Sequence, residues 1–245
     1  MLTEFIESEL VKKSEEVRKE LIKMFSYGTA HHYGGTLSCV EILTCLFFYK
    51  MAFSFENRND PNRDRFIMSK GHSIPVQYVI LSMLGFFSKE ELSTLKKLHS
   101  RLQGHPDINK TPGLEAPTGS LGQGLSFANG IAMAAKYDGY KFRIYVLAGD
   151  GELQEGQIWE AAMATSHYGL NNICLIVDRN KYQSQGMTDE IMGIEPLEDK
   201  FKAFGWKASR TDGHSIRDLC TVLDDSDGGE APTVIIADTV KGKGI

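Results

Sequence analysis

Gly149-Asp150-Gly151 and, about thirty residues further on, Asn180 are residue types from which a phosphate and metal site could be built. Flanking glycines let the backbone approach a diphosphate closely, because no Cβ stands in the way. A helix that follows would point its N-terminal amides at the phosphate oxygens. Asp150 alone would hold a divalent ion poorly. A carboxylate, a carboxamide and a main-chain carbonyl from the adjacent strand end make a half-shell of hard oxygens, which two phosphate oxygens and a water would complete to an octahedron suited to Mg²⁺. By itself Gly-Asp-Gly reads as a turn; the second anchor, after another apolar run, makes the pair a candidate site. Three of the seven histidines, His32, His72 and His105, lie in glycine-containing loops rather than on helix faces. Imidazoles there could move protons and polarise a carbonyl oxygen near neutral pH. His99, His167 and His214 have no such context and read as structural, and His31 is open.

Residues of this kind need strand ends to carry them. Residues 142–148, 173–177 and 233–237 are continuous apolar runs rich in β-branched types and predict strands; 66–68 predicts a weaker one. Ser69-Lys70-Gly71-His72 follows the first of these in the chain, and Gly149 to Glu152 the second. Asp178-Arg179-Asn180-Lys181 follows the third, and Asp238 with Lys241 and Lys243 the fourth. In residues 3–26, Ile6, Leu10, Val17, Leu21, Met24 and Phe25 recur at helical spacing among charges, an amphipathic helix packed on the surface. A second helix, starting at Ser38 and apolar nearly all round, is expected to be buried. Further helices are expected at about 73–84, 122–137, 152–168 and 215–223, with Gly85 and Gly169 as C-caps. Alternating strands and helices predict an α/β fold, a mostly parallel sheet covered by helices on both faces. Such sheets bind ligands outside the carboxyl ends of their strands.

The 245 residues suffice for one large domain, and 42% hydrophobic with 24% charged residues is ordinary for a soluble protein. A net charge of -5 argues against a nucleic-acid surface. No apolar run of about 18 residues predicts a membrane span, and the acidic start lacks the features of a signal peptide. Cys39, Cys45, Cys174 and Cys220 form no CxxC pair and read as reduced core residues, which points to the cytoplasm and away from a zinc site.

Together the motifs resemble those of a known family. Gly149-Asp150-Gly151 followed by Asp178-Arg179-Asn180 is similar to the thiamine-diphosphate motif. The wider sequence resembles the N-terminal part of transketolases. The stretches that match are Asp64-Arg65-Phe66-Ile67-Met68-Ser69-Lys70-Gly71-His72, Leu102-Gln103-Gly104-His105-Pro106 and Thr118-Gly119-Ser120-Leu121-Gly122-Gln123-Gly124. Gly149-Asp150-Gly151-Glu152-Leu153-Gln154-Glu155-Gly156 and Thr239-Val240-Lys241-Gly242-Lys243-Gly244 match too, in family order from about residue 12 onward. The resemblance implies a thiamine-diphosphate-binding fold of the diphosphate (PP) type, as a single domain over 1–245. It implies thiamine diphosphate with Mg²⁺, or Ca²⁺ or Mn²⁺ in its place. Asp150, Asn180 and the carbonyl of Tyr182 would hold the metal, with Gly149 and Gly151 close to the diphosphate. Gly119 and Leu121 would line the cofactor, Leu121 supporting its bent shape. His72 would touch the diphosphate region, and His32 and His105 would face the substrate. Glu155 would lie at a subunit interface near the cofactor. Lys241, with Lys243 as a second candidate, would close over the site.

The implied activity is transfer of a two-carbon ketol unit from a ketose or its phosphate to an aldose or its phosphate, as in pentose phosphate metabolism. That transfer needs a hydroxyl deprotonated and a carbonyl polarised, work suited to the three histidines. Other thiamine enzymes are the alternative: a deoxyxylulose-phosphate synthase, or the α subunit of a 2-oxoacid dehydrogenase. A non-catalytic assembly subunit is a third reading. Where the family usually reads Gly-His-Pro-Gly-Gly, this chain has His31-His32-Tyr33-Gly34-Gly35, which puts the identity of the donor sugar in question. The glutamate that activates the aminopyrimidine belongs in the family to a separate pyrimidine-binding domain. The resemblance therefore implies a partner chain, the C-terminal transketolase subunit, in a two-fold heterotetramer. That partner would also supply most of the substrate-phosphate arginines.

Overall fold

The computed structural model describes residues 2–28 and 31–245. The chain opens with α1, Glu4–Ser26, whose N-cap Thr3 accepts from the Ile6 amide at 3.3 Å. Glu4 and Glu7 in its first turn suit the positive end of the helix dipole. Its buried stripe, including Leu10, Val17, Leu21 and Met24, is the one the spacing predicts.

The second helix differs from expectation. Ser38 ends α2, Tyr33–Ser38, and does not begin the next helix; a break at Cys39 precedes α3, Val40–Cys45, which widens into a π turn at Leu46–Lys50. The reason is where the Ser38 hydroxyl points: it donates to Asp178 Oδ2 at 2.5 Å rather than capping a helix.

The strands are β1 (Arg65–Met68), β2 (Ile144–Gly149), β3 (Ile173–Arg179), β4 (Lys207–Asp212) and β5 (Thr233–Asp238). All pair in parallel, in the order β1-β2-β3-β5-β4. Strand β4 has no counterpart among the apolar runs. It is an edge strand, Lys207-Ala208-Ser209-Arg210-Thr211-Asp212, mostly half-exposed, and so carries none of the continuous apolar character of a buried strand.

The remaining helices are α4 (Ile74–Met83), α5 (Gly124–Asp138), α6 (Gly156–His167), α7 (Thr188–Met192), α8 (Leu197–Ala203) and α9 (Ile216–Asp224). Short α7 and α8 fill the β3–β4 connection, where no helix is expected from the sequence. Gly85 and Gly169 follow α4 and α6 in left-handed conformation, φ 84° and 59°, as the C-cap reading requires.

Alternate strand residues face opposite layers. Phe66, Tyr145, Leu147, Ile176 and Ile235 pack with α1, α3, α4 and α9. Ile67, Val146, Leu175, Val177 and Ile236 pack with α5, α6 and α8. Each fully buried aliphatic side chain contributes roughly 1.5–3 kcal/mol. The two cores hold the sheet rigid, so the loops at its carboxyl edge start from fixed points. Among the described residues no helix is long and apolar enough to cross a membrane, and the four cysteines are buried and free.

Candidate active site

The carboxyl ends of β1, β2, β3 and β5 open onto a cavity of about 550 Å³. After β1 the chain makes a 3₁₀ turn, Gly71–Ser73, that brings His72 to the cavity wall. Only glycine fits at 71, because a Cβ there would lie 2.8 Å from the Gly119 nitrogen and the Thr118 carbonyl carbon. Thr118 also donates its hydroxyl to the Met68 carbonyl at 2.6 Å, so the 118–119 loop is tied to the end of β1.

After β2 the turn differs from the expected helix at 152. Gly151–Gln154 is 3₁₀, and α6 begins only at Gly156, with Glu155 as a cap residue on the cavity wall. The nearest amide, that of Gly151, donates to Asp150 Oδ1 at 2.8 Å and so orients the carboxylate. Asp150 Oδ2 accepts from the Lys181 amide at 2.6 Å. Lys181 has a left-handed φ of 67°, which turns the chain back so that the Tyr182 amide meets Asn180 Oδ1 at 3.1 Å. Asp150, Asn180 and Tyr182 thereby share the cavity wall with Gly149 and Gly151.

Burial pushes the Asp150 carboxyl up to about 6, with the negative Asp178 adding to it against the amide hydrogen bonds and Lys70. A buried carboxylate beside amide and carbonyl oxygens is a hard donor set, and a divalent cation would relieve the cost of its charge. The arrangement fits such an ion. Among the described residues no group of three or more His, Cys, Asp and Glu side chains is gathered to hold a metal, so the set would draw on amide, main-chain and phosphate oxygens beside Asp150.

Three charged residues not among the candidates organise the same edge. Lys70 and Asp178 are fully buried and form an ion pair; Lys70 Nζ also donates to the Gly35 carbonyl at 2.7 Å, and Thr239 donates its hydroxyl to Asp178. Burial alone would raise the Asp178 carboxyl, but Lys70 outweighs it and holds the group below the usual range. Glu152, also buried, accepts from the Gly122 amide at 2.8 Å, the Gly149 amide at 3.0 Å and the Ser69 hydroxyl. It staples the loop after β1, the loop before α5 and the end of β2. Neither role has a signal in spacing, since a charged residue just past a strand is as readily solvated.

The three loop histidines are brought close. His32 and His72 lie edge to face, with ring centroids 5.0 Å apart, and both line the cavity. Burial, then the Lys70 ammonium, pushes His72 down to about 3, so it is neutral. Burial also lowers His32, with Lys96 and His105 adding to the effect. His105 stands beside the wall, over Gly119, where a Cβ would come within 2.7 Å of its ring and where φ is 138°. Leu121 and Lys241 reach the wall itself. Lys241 Nζ donates to the Gln183 carbonyl at 3.0 Å, whereas Lys243 offers its carbonyl to Arg18 at 3.0 Å. Tyr33 packs edge-on against Phe25 at 4.7 Å and His31 at 5.7 Å, next to His32.

Residues 14–245 match the family described as transketolase, thiamine diphosphate binding domain. The chain is 43% identical to one of the subunits of the apulose-4-phosphate transketolase from Phocaeicola vulgatus, over 95% of this chain and 83% of that one. It is 39% identical to a 6-deoxy-6-sulfo-D-fructose transketolase subunit from a Clostridium species, over 96% and 86%. Human transketolase is 40% identical over 85% of this chain, which spans 33% of the human protein. The crystal structure of Campylobacter jejuni transketolase superposes with a TM-score of 0.91 at 32% identity, over 96% of this chain and 38% of the other. With an α/β sheet of this topology and these motifs at its carboxyl edge, the chain belongs to the transketolase family of thiamine diphosphate-dependent transferases and carries that family's thiamine diphosphate binding domain.

Proposed function

We propose that the chain is the diphosphate- and metal-binding subunit of an enzyme that moves a two-carbon ketol unit from a ketose or its phosphate to an aldose or its phosphate. The observation that supports this most is a single wall shared by the Asp150–Asn180–Tyr182 oxygens, the glycines 149 and 151, and the histidines 32 and 72. Asp150, Asn180 and the Tyr182 carbonyl would hold Mg²⁺, and the bare backbone at 149 and 151 admits a diphosphate. Gly119 and Leu121 would line the cofactor. Bound thiamine diphosphate supplies the carbanion chemistry. His72, neutral, would hydrogen-bond without adding charge near the phosphates. His32 and His105 would take and return protons of the sugar hydroxyls and polarise its carbonyl. Lys241 would cover the site, and Glu155 would lie at a subunit interface.

On this reading residues 1–245 form one diphosphate-binding domain that works with a pyrimidine-binding partner chain in a two-fold heterotetramer. Two relatives are named as transketolase subunits, which favours a divided enzyme. Their names also give ketoses carrying a phosphate or a sulfo group, and a donor of that anionic class is the one proposed here. The test is to capture the partner from native extract with this chain as bait, reconstitute the pair and follow products. Thiamine-dependent ketol transfer between sugars supports the proposal. Carbon dioxide released from a 2-oxoacid would replace it with a deoxyxylulose-phosphate synthase or 2-oxoacid dehydrogenase reading, and a complex indifferent to Asp150→Ala would point to a purely structural role in assembly.

A further inference from the structure

His214 lies outside the cavity, in the turn after β4, and joins three parts of the molecule. Its Nδ1 faces Glu41 Oε2 at 3.0 Å, and its Nε2 meets the main-chain N–H of Val240 at 2.8 Å. A backbone amide can only donate, so Nε2 accepts and the ring proton sits on Nδ1, donated to Glu41. Glu41, buried in α3, is paired through its other oxygen with Arg18 of α1. Arg18 donates to the Lys243 carbonyl at 3.0 Å. One hydrogen-bonded line therefore grips the last segment on both sides of Lys241, at Val240 and at Lys243. Between the grips the Gly242 amide donates to the Gly34 carbonyl at 3.0 Å. The Lys241 side chain lies across Gly34, where a Cβ would stand 2.7 Å from Lys241 Cγ, and ends on the Gln183 carbonyl. Arg18, Glu41 and His214 themselves do not line the cavity, whereas Lys241, Gly34 and Gln183 do.

We propose that His214 is a positioning residue: with its tautomer set by Glu41, it holds the Val240 amide and so fixes Lys241 on the cavity wall. The inference rests on the proposed function only for the role of Lys241. Two substitutions separate the ring's two bonds. His214→Asn keeps a donor near Nδ1 and removes the acceptor for Val240; His214→Gln places an amide oxygen where Nε2 stood. Hydrogen exchange on the full chain should show residues 239–244 opening about tenfold faster in the Asn variant, with α3 and α9 unchanged, and near wild-type exchange in the Gln variant. In the complex with its partner chain, His214→Asn and Lys241→Ala should each raise KM for the donor ketose more than they lower kcat, and the double variant should match Lys241→Ala alone. Unchanged exchange in the Asn variant, or additive effects in the double variant, would overturn the proposal. A wild-type complex without ketol transfer would count against the proposed function, and the exchange arm would still decide the role of His214.

Discussion

Asp150 carries the most weight of any single side chain, because it is both buried and anionic at the place where a cation would sit. Asp150→Ala should abolish Mg²⁺-dependent thiamine diphosphate binding in the complex, read by calorimetry; unchanged affinity would remove Asp150 from the site. The buried pair beneath it predicts a stability effect. Lys70→Met leaves Asp178 charged, buried and without its cation, and should cost about 3–5 kcal/mol in denaturant unfolding. His72 predicts a pH dependence. Its folded value of about 3 lies below the ordinary value of 6.5, so below about pH 6.5 the unfolded chain binds more protons than the folded one. Stability should then fall as pH drops, by up to about 1.4 kcal/mol per pH unit, and His72→Gln should lose that acid sensitivity. Tyr33 opens α2, a position that tolerates proline. Tyr33→Pro should therefore shift donor preference with little change in cofactor affinity; an equal loss across all donors would contradict the donor-site reading.

At the scale of elements, glycine positions decide whether loops can meet. Gly71→Ala would push apart the loops carrying His72 and Gly119, with an expected loss of about 1–3 kcal/mol and a lower Tm. The elements are unevenly legible in the sequence. Strands β2, β3 and β5 are almost wholly buried and announce themselves as apolar runs, and their ends carry Gly149-Asp150-Gly151 and Asn180 where the motif reading expects them. Strand β4 is hidden because an edge position lets Lys207 and Arg210 into a strand. The break at Cys39 is hidden because Ser38 serves Asp178, 140 residues away, and no local pattern encodes a distant partner. Lys70 and Glu152 are silent for the same reason: burial of a charge depends on what folds over it. The histidine loops, by contrast, are legible from their glycines.

At the scale of the molecule, the cavity wall holds diphosphate and metal candidates but would share its cofactor with a second chain. The isolated chain should bind thiamine diphosphate weakly and show no turnover; robust activity from it alone would refute the divided-site reading. The sheet order has a consequence for synthesis. Strand β5 follows β4 in sequence, yet it is not an edge strand but lies between β3 and β4. A nascent chain can pair β1, β2 and β3 as they leave the ribosome, yet β4 has no neighbour to pair with until residues 233–238 emerge. When β5 pairs with β3 it gives β4 its neighbour and brings Lys241 to the cavity wall, so the sheet and this part of the wall form in one event. Until then the open flank of β3 is a place where chaperones, or another unfinished chain, can bind.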